Sequence, residues 1–146
     1  VVISGLKNNI KESLEVFLEN GAKKALQLSV SAPFHCPLMK PAKEIMLETI
    51  KNVNLMEPLI PVLSNVKVNS EKSVDGIKHN LINQVTEMVR WREIMIKLEK
   101  EGVSDFYEIG SGSVLSNLAK RSCPSFNRKS INGKSSVDDF LSFLDK

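Results

Sequence analysis

Asp105–Ile131, DFYEIGSGSVLSNLAKRSCPSFNRKSI, holds a strand, a tight turn, a helix and a second strand in one stretch. Asp105–Ile109 carries two aromatic residues and a β-branched one, the types that suit a pleated, half-buried surface. Gly110-Ser111-Gly112-Ser113 has the glycines that a sharp strand-to-helix turn needs. Val114, Leu115, Leu118 and Ala119 fall at helical spacing in a short helix ending near Arg121, and Arg128–Ile131 reads as a brief strand. A strand that returns after a helix lies parallel to the first, because parallel neighbours need a crossover connection.

The alternation extends outward in both directions. Trp91, Ile94, Met95 and Leu98 mark a helix closed by Gly102, and Ile77, Leu81, Val85 and Met88 mark the one before it. Leu59–Ser64 is a short apolar strand containing Pro61 and ending at Asn65, and the polar stretch 66–73 reads as a surface loop. Leu38, Ala42, Ile45, Met46 and Ile50 repeat at helical spacing, with Pro41 in the first turn, where proline is tolerated. The chain opens with a strand at Val1–Ile3, a helix with Ile10, Leu14, Phe17 and Leu18 on one face stopped by Asn20 and Gly21, and a half-buried strand at Ala25–Ser31. At the other end a helix starts at Ser136, has Asp138 and Asp139 in its first turn, and buries Val137, Phe140, Leu141 and Leu144. The expected class is α/β, layered on a mostly parallel sheet.

Composition narrows the function classes. With 42% hydrophobic and 25% charged residues in 146, the chain can build a core and is not generally disordered. No apolar run approaches the ~20 residues of a membrane span. The net charge of +3 is spread along the chain, and one Tyr and one Trp offer few stacking platforms, so nucleic acid is not an expected partner. Two distant cysteines form no disulfide framework and suit a reducing cytoplasm. The opening VVISG shows no pattern of a secretory leader and lacks a Met; Met removal before Val accounts for that, and so does a start inside a longer chain.

Few residues can carry chemistry. His35 sits in a proline-bounded loop, 32–37, directly after a strand, where ligands gather in open α/β sheets. A histidine, with an ordinary pKa of about 6.5, serves there as base or acid, unless it is a surface or capping residue. His79 lies on the polar side of its helix and reads as surface. Cys36 follows His35, but sequence neighbours rarely form a catalytic pair, and a small, partly buried residue is the plainer reading. His35, Cys36, His79 and Cys123 lack the spacing of a metal site, so no metal is expected. The GSGS turn lacks the spacing and lysine of a phosphate cradle, and no Ser stands in a GxSxG elbow.

The stretch SAPFHCPLMKPA resembles the signature around the catalytic His of the malonyl-CoA:acyl carrier protein transacylases and of the related acyltransferase domains of polyketide and fatty acid synthases, with Phe34, His35, Cys36, Leu38 and Met39 matching. VVISG, NGAKKALQLSVSAPFH, LSNV at Leu63–Val66, LINQVTEMVRW at Leu81–Trp91 and FYEIGSGSVLSNLAKR at Phe106–Arg121 resemble further stretches of that family, in order. Ser111 departs from it, standing where the family usually has Pro.

The resemblance covers nearly the whole chain but only the family's C-terminal half. It implies the C-terminal part of a hydrolase-like acyltransferase core over residues 32–146, and the second half of a small ferredoxin-like subdomain over residues 1–31. The nucleophilic Ser, an oxyanion-hole Gln and the Arg that pairs with the malonyl carboxylate belong to the absent half. His35 is implied as the general base, and the main-chain carbonyl at Gln84 as its orienting partner; a plain helix-surface amide is the other reading of Gln84. Phe34 accompanies malonyl rather than bulkier substrates in the related domains. Asn65 is a pocket residue or a strand-end turn residue. Carrier proteins are acidic, so Lys23 and Lys24, and also Lys120 and Arg121, are docking candidates or simply solvated residues. The implied activity is ping-pong malonyl transfer from CoA to the phosphopantetheine thiol of acyl carrier protein, with no further cofactor, and with no activity expected of this chain without the other half. A non-catalytic module that docks carrier protein is the alternative, and an unrelated α/β hydrolase piece the third.

Overall fold

The computed structural model describes Val1–Leu144, arranged as two compact units, Val1–Val89 and the described residues from Arg90 onward. The class is mixed α/β, but the strands form two separate two-stranded sheets, one antiparallel and one parallel, where a mostly parallel sheet was expected. Among the described residues no helix is long and apolar enough to cross a membrane.

The first unit begins with α1, Lys7–Glu19. Its end follows from local chemistry: Asn20 Nδ2 donates to the Val16 carbonyl at 2.8 Å, and Gly21, at φ 90°, lets Ala22 N–H reach the Phe17 carbonyl at 2.9 Å. A short 3-10 turn, Pro37–Met39, leads into α2, Lys40–Lys51, with proline in the first turn as expected. The expected strand at Leu59–Ser64 contracts to β1, Val62–Leu63. It pairs antiparallel with β2, Ser70–Glu71, inside the segment that read as a loop. That strand carries no apolar alternation, so only pairing across the intervening turn reveals it.

α3, Val74–Asn83, is capped by Ser73, whose Oγ accepts from Gly76 N–H at 3.2 Å. The Glu71 carboxylate accepts from the Ser73 hydroxyl and N–H and from Lys72 N–H, which hold it below the usual carboxylate range. A Cβ at Gly76 would meet the Glu71 carboxylate and the Ser73 hydroxyl, so a side chain here would displace them. Periodicity carries the helix on to Met88, but it stops at Asn83, where the chain turns and the carbonyls of Gln84 and Val85 come to His35.

Two expected strands do not form. Val1–Ile3 and Ala25–Ser31 have no ladder partner among the described residues. Their side chains stand open: Leu26 is 65% exposed and Val30 67%. A strand exists only through the hydrogen bonds of a neighbour, so apolar alternation alone does not make one.

The second unit has the better-filled core. α4, Trp91–Lys100, buries Ile94 and Met95. β3, Asp105–Ile109, and β4, Asn127–Ile131, are parallel in the register Asp105↔Asn127 to Ile109↔Ile131, and α5, Val114–Ser122, crosses between them. Ala119, Cys123, Phe126 and Ile131 complete the interior. Trp91 meets Phe106 edge-on at 6.1 Å, and Tyr107 meets Phe140 at 5.0 Å, ring geometries that add to burial. α6, Lys134–Leu144, begins before the expected Ser136, whose Oγ accepts from the N–H groups of Asn132 and Gly133 at 3.0 Å. Asp138 and Asp139 therefore lie beyond its first turn. The expected burial of Leu144 falls outside the described side chains.

Candidate active site

Prolines at 33 and 37 keep the chain between Ser31 and α2 irregular, and His35 stands within this loop. Its φ is 61°, and it is the only non-glycine residue with positive φ among those described. That region costs an L-residue about 1–2 kcal/mol and persists only where surroundings impose it. Here they do. His35 N–H donates to the Val85 carbonyl at 3.3 Å, and Met39 N–H donates to the Cys36 carbonyl at 3.0 Å. The Cys36 thiol donates to the Pro33 carbonyl at 3.1 Å.

The imidazole is oriented by the end of α3. His35 Nδ1 lies 2.8 Å from the Gln84 carbonyl oxygen. A carbonyl only accepts, so the proton resides on Nδ1 and the lone pair on Nε2. The His35 side chain is exposed, so that basic nitrogen is accessible.

A cavity of about 170 Å³ opens beside this turn, lined by Leu63, Asn65, Ile77, Asn80, Leu81 and Gln84 among others. Its walls are mostly apolar, with two buried polar atoms lacking hydrogen-bond partners, Ser64 Oγ and Asn80 Oδ1. Asn80 is only 2% exposed. Sequence reasoning missed it. The signal was a polar residue beside the apolar face that Ile77 and Leu81 share at helical spacing.

The structure thus brings His35 to the Gln84 carbonyl and places Asn65 and Gln84 on one cavity wall. Phe34, beside His35, is 51% exposed. Lys23 and Lys24 are exposed past the end of α1, and Lys120 and Arg121 occupy the last turn of α5. His79 is a helix-surface residue, with its Nε2 2.7 Å from Asn83 Nδ2. In the second unit Cys123 is fully buried, and burial, then Glu99, push its thiol pKa up, away from the reactive thiolate.

The GSGS turn is no phosphate cradle for a reason internal to the fold. Glu108 Oε1 accepts from Leu115 N–H at 3.0 Å and Oε2 from Ser116 N–H at 2.7 Å, so a carboxylate already fills the start of α5. Burial raises the pKa of this group, but the Ser116 hydroxyl and N–H, Leu115 N–H and the Ser130 hydroxyl outweigh it and hold it below the usual range.

No family model matches the chain. A malonyl CoA-acyl carrier protein transacylase of Haemophilus influenzae is 39% identical over 144 residues, which are 99% of this chain and 46% of that relative. The chain belongs to the malonyl CoA-acyl carrier protein transacylase family. Solved structures of transacylases agree. One, a malonyl-transacylase in complex with a type II polyketide synthase acyl-carrier protein, has a TM-score of 0.89 and 34% identity over 95% of this chain and 45% of its own. Another, the acyl-carrier-protein S-malonyltransferase of Bartonella henselae, has a TM-score of 0.88 and 36% identity over 95% and 44%. The chain spans less than half the length of these transacylases.

Proposed function

We propose that this chain supplies the general base of a malonyl-CoA:acyl carrier protein transacylase. A serine outside the chain attacks the malonyl thioester, and its proton passes to Nε2 of His35. The CoA thiolate leaves with that proton. In the second half the phosphopantetheine thiol of acyl carrier protein gives its proton to Nε2 and takes the malonyl group, and the serine recovers its proton. Acyl exchange between thioester and thiol is balanced without metal or redox cofactor. Such a base contributes about 10²–10⁴-fold.

The observation that carries this reading is His35 itself: a histidine held at φ 61° with its Nδ1 on a main-chain carbonyl, leaving Nε2 as the basic atom. Gln84 orients the ring through its carbonyl, Phe34 and Asn65 belong to the acyl site, and Lys23 and Lys24 meet the acidic carrier protein. Residues 1–31 form part of a ferredoxin-like small subdomain and residues 32–146 part of the hydrolase-like core. The setting is the cytoplasm, in fatty acid biosynthesis.

The test is malonyl transfer to phosphopantetheinylated carrier protein by this chain, alone and supplied with the segment that completes the relatives' length. No transfer is expected from the chain alone, transfer from the pair, and none from the pair carrying His35→Ala. Transfer that survives His35→Ala overturns the base role. Carrier binding without transfer from the pair favours the non-catalytic docking module.

A further inference from the structure

A second tie joins the two segments that hold His35. Lys43, half-buried on α2, donates from Nζ to Asn83 Oδ1 at 2.7 Å. Asn83 Nδ2 in turn lies 2.7 Å from His79 Nε2. The directions are forced. A lysine only donates, so the Asn83 oxygen faces Lys43 and its NH₂ faces His79, whose Nε2 accepts.

Asn83 is the last residue of α3, immediately before Gln84. Its carbonyl accepts from Thr86 N–H at 3.1 Å and Glu87 N–H at 2.9 Å, so it organises the turn that presents the carbonyls of Gln84 and Val85. Lys43 lies in the first turn of α2, the helix that continues the His35 loop. The loop and the end of α3 are therefore tied at His35, through its N–H on Val85 and its ring on Gln84, and again at Lys43–Asn83. The His35 bonds sit at one point of the loop, about which the end of α3 can pivot; the second tie, from the first turn of α2, fixes the carbonyl's direction against the ring.

We propose that Lys43 and Asn83 are positioning residues for His35, acting through the Gln84 carbonyl on the proton of Nδ1. This rests on the reading of His35 as the base. Neither residue touches substrate. Losing the tie loosens the Gln84 carbonyl, lets the Nδ1–H form give way to the Nε2–H form, and so removes the lone pair from the working nitrogen.

The chain's two histidines make this measurable. With ¹⁵N-histidine label in this chain, long-range ¹H–¹⁵N spectra read the tautomer of each ring. His35 is expected as Nδ1–H, and His79 as Nδ1–H. In Lys43→Met, which keeps the stem and removes the donor, His35 is expected to shift toward Nε2–H. With the completing segment present, kcat is expected to fall about tenfold with KM within about twofold. Lys43→Arg, which keeps a donor, restores both readouts, and Asn83→Ala repeats the loss. A His35 tautomer unchanged in Lys43→Met and Asn83→Ala overturns the proposal, as does a loss that Lys43→Arg fails to rescue while circular dichroism stays native. Failure of the base reading is separate: it shows as transfer retained in His35→Ala, whatever the tautomer.

Discussion

The Glu108 carboxylate and the Ser116 N–H, 2.7 Å apart, join the end of β3 to the first turn of α5. A side chain from the preceding strand thus does the work usually left to a capping residue next to the helix, since Ser113 makes no side-chain cap. The carboxylate is held below its ordinary pKa in the fold. The unfolded chain therefore binds more protons in the window between the folded value and the ordinary one, about 4.3. Stability from this group is fully present above that ordinary value and is lost as pH falls through the folded one. Thermal unfolding followed between pH 7 and pH 3 is expected to show that loss. Glu108→Gln, which keeps an acceptor but cannot ionise, is expected to lower the melting temperature by several degrees at pH 7 and to flatten its fall toward pH 3.

The backbone of His35 predicts a divergence between two substitutions that both remove the imidazole. Glycine occupies φ 61° without a Cβ penalty, and alanine does not. His35→Gly is expected to be more stable than His35→Ala by about 1 kcal/mol, measured by urea unfolding, with transfer absent from both. Equal stability of the two variants would show that the site does not impose the left-handed conformation.

Gln84 separates main chain from side chain. Its carbonyl holds Nδ1, while its side chain lines the cavity. Gln84→Ala is expected to leave the His35 tautomer unchanged and kcat within about threefold, since the carbonyl remains. A loss of kcat as deep as that of His35→Ala, about 10²-fold or more, would assign the role to the amide side chain instead.

The segments Val1–Ile3 and Ala25–Ser31 have apolar side chains exposed and backbone groups without ladder partners among the described residues. Amide hydrogen exchange in 25–31 is expected to be fast in the chain alone and to slow about tenfold or more once the completing segment is added. Unchanged exchange on addition would mean that these residues are not where the segment pairs.

Local patterns in the chain determined much of this protein. DFYEI, the GSGS turn and the apolar spacing after it specify β3, α5 and β4, because each carries its own periodicity or turn chemistry and the crossover length makes the pair parallel. Pro33 and Pro37 marked an irregular loop in the same way, and His35 within it a candidate for chemistry. What depended on remote partners was decided only by the tertiary structure. β2 exists because β1 lies across from it, and the two N-terminal strands fail for want of such a neighbour among the described residues. α3 ends at Asn83 rather than near Met88, at a turn that brings the following carbonyls to the distant His35. The Lys43–Asn83 tie and the Glu108 cap carry no periodicity at all, since hydrogen bonds between distant residues leave no trace in spacing. His35 was therefore visible in the sequence as a candidate, whereas the direction of its lone pair was set by a carbonyl that only folding brings within 2.8 Å.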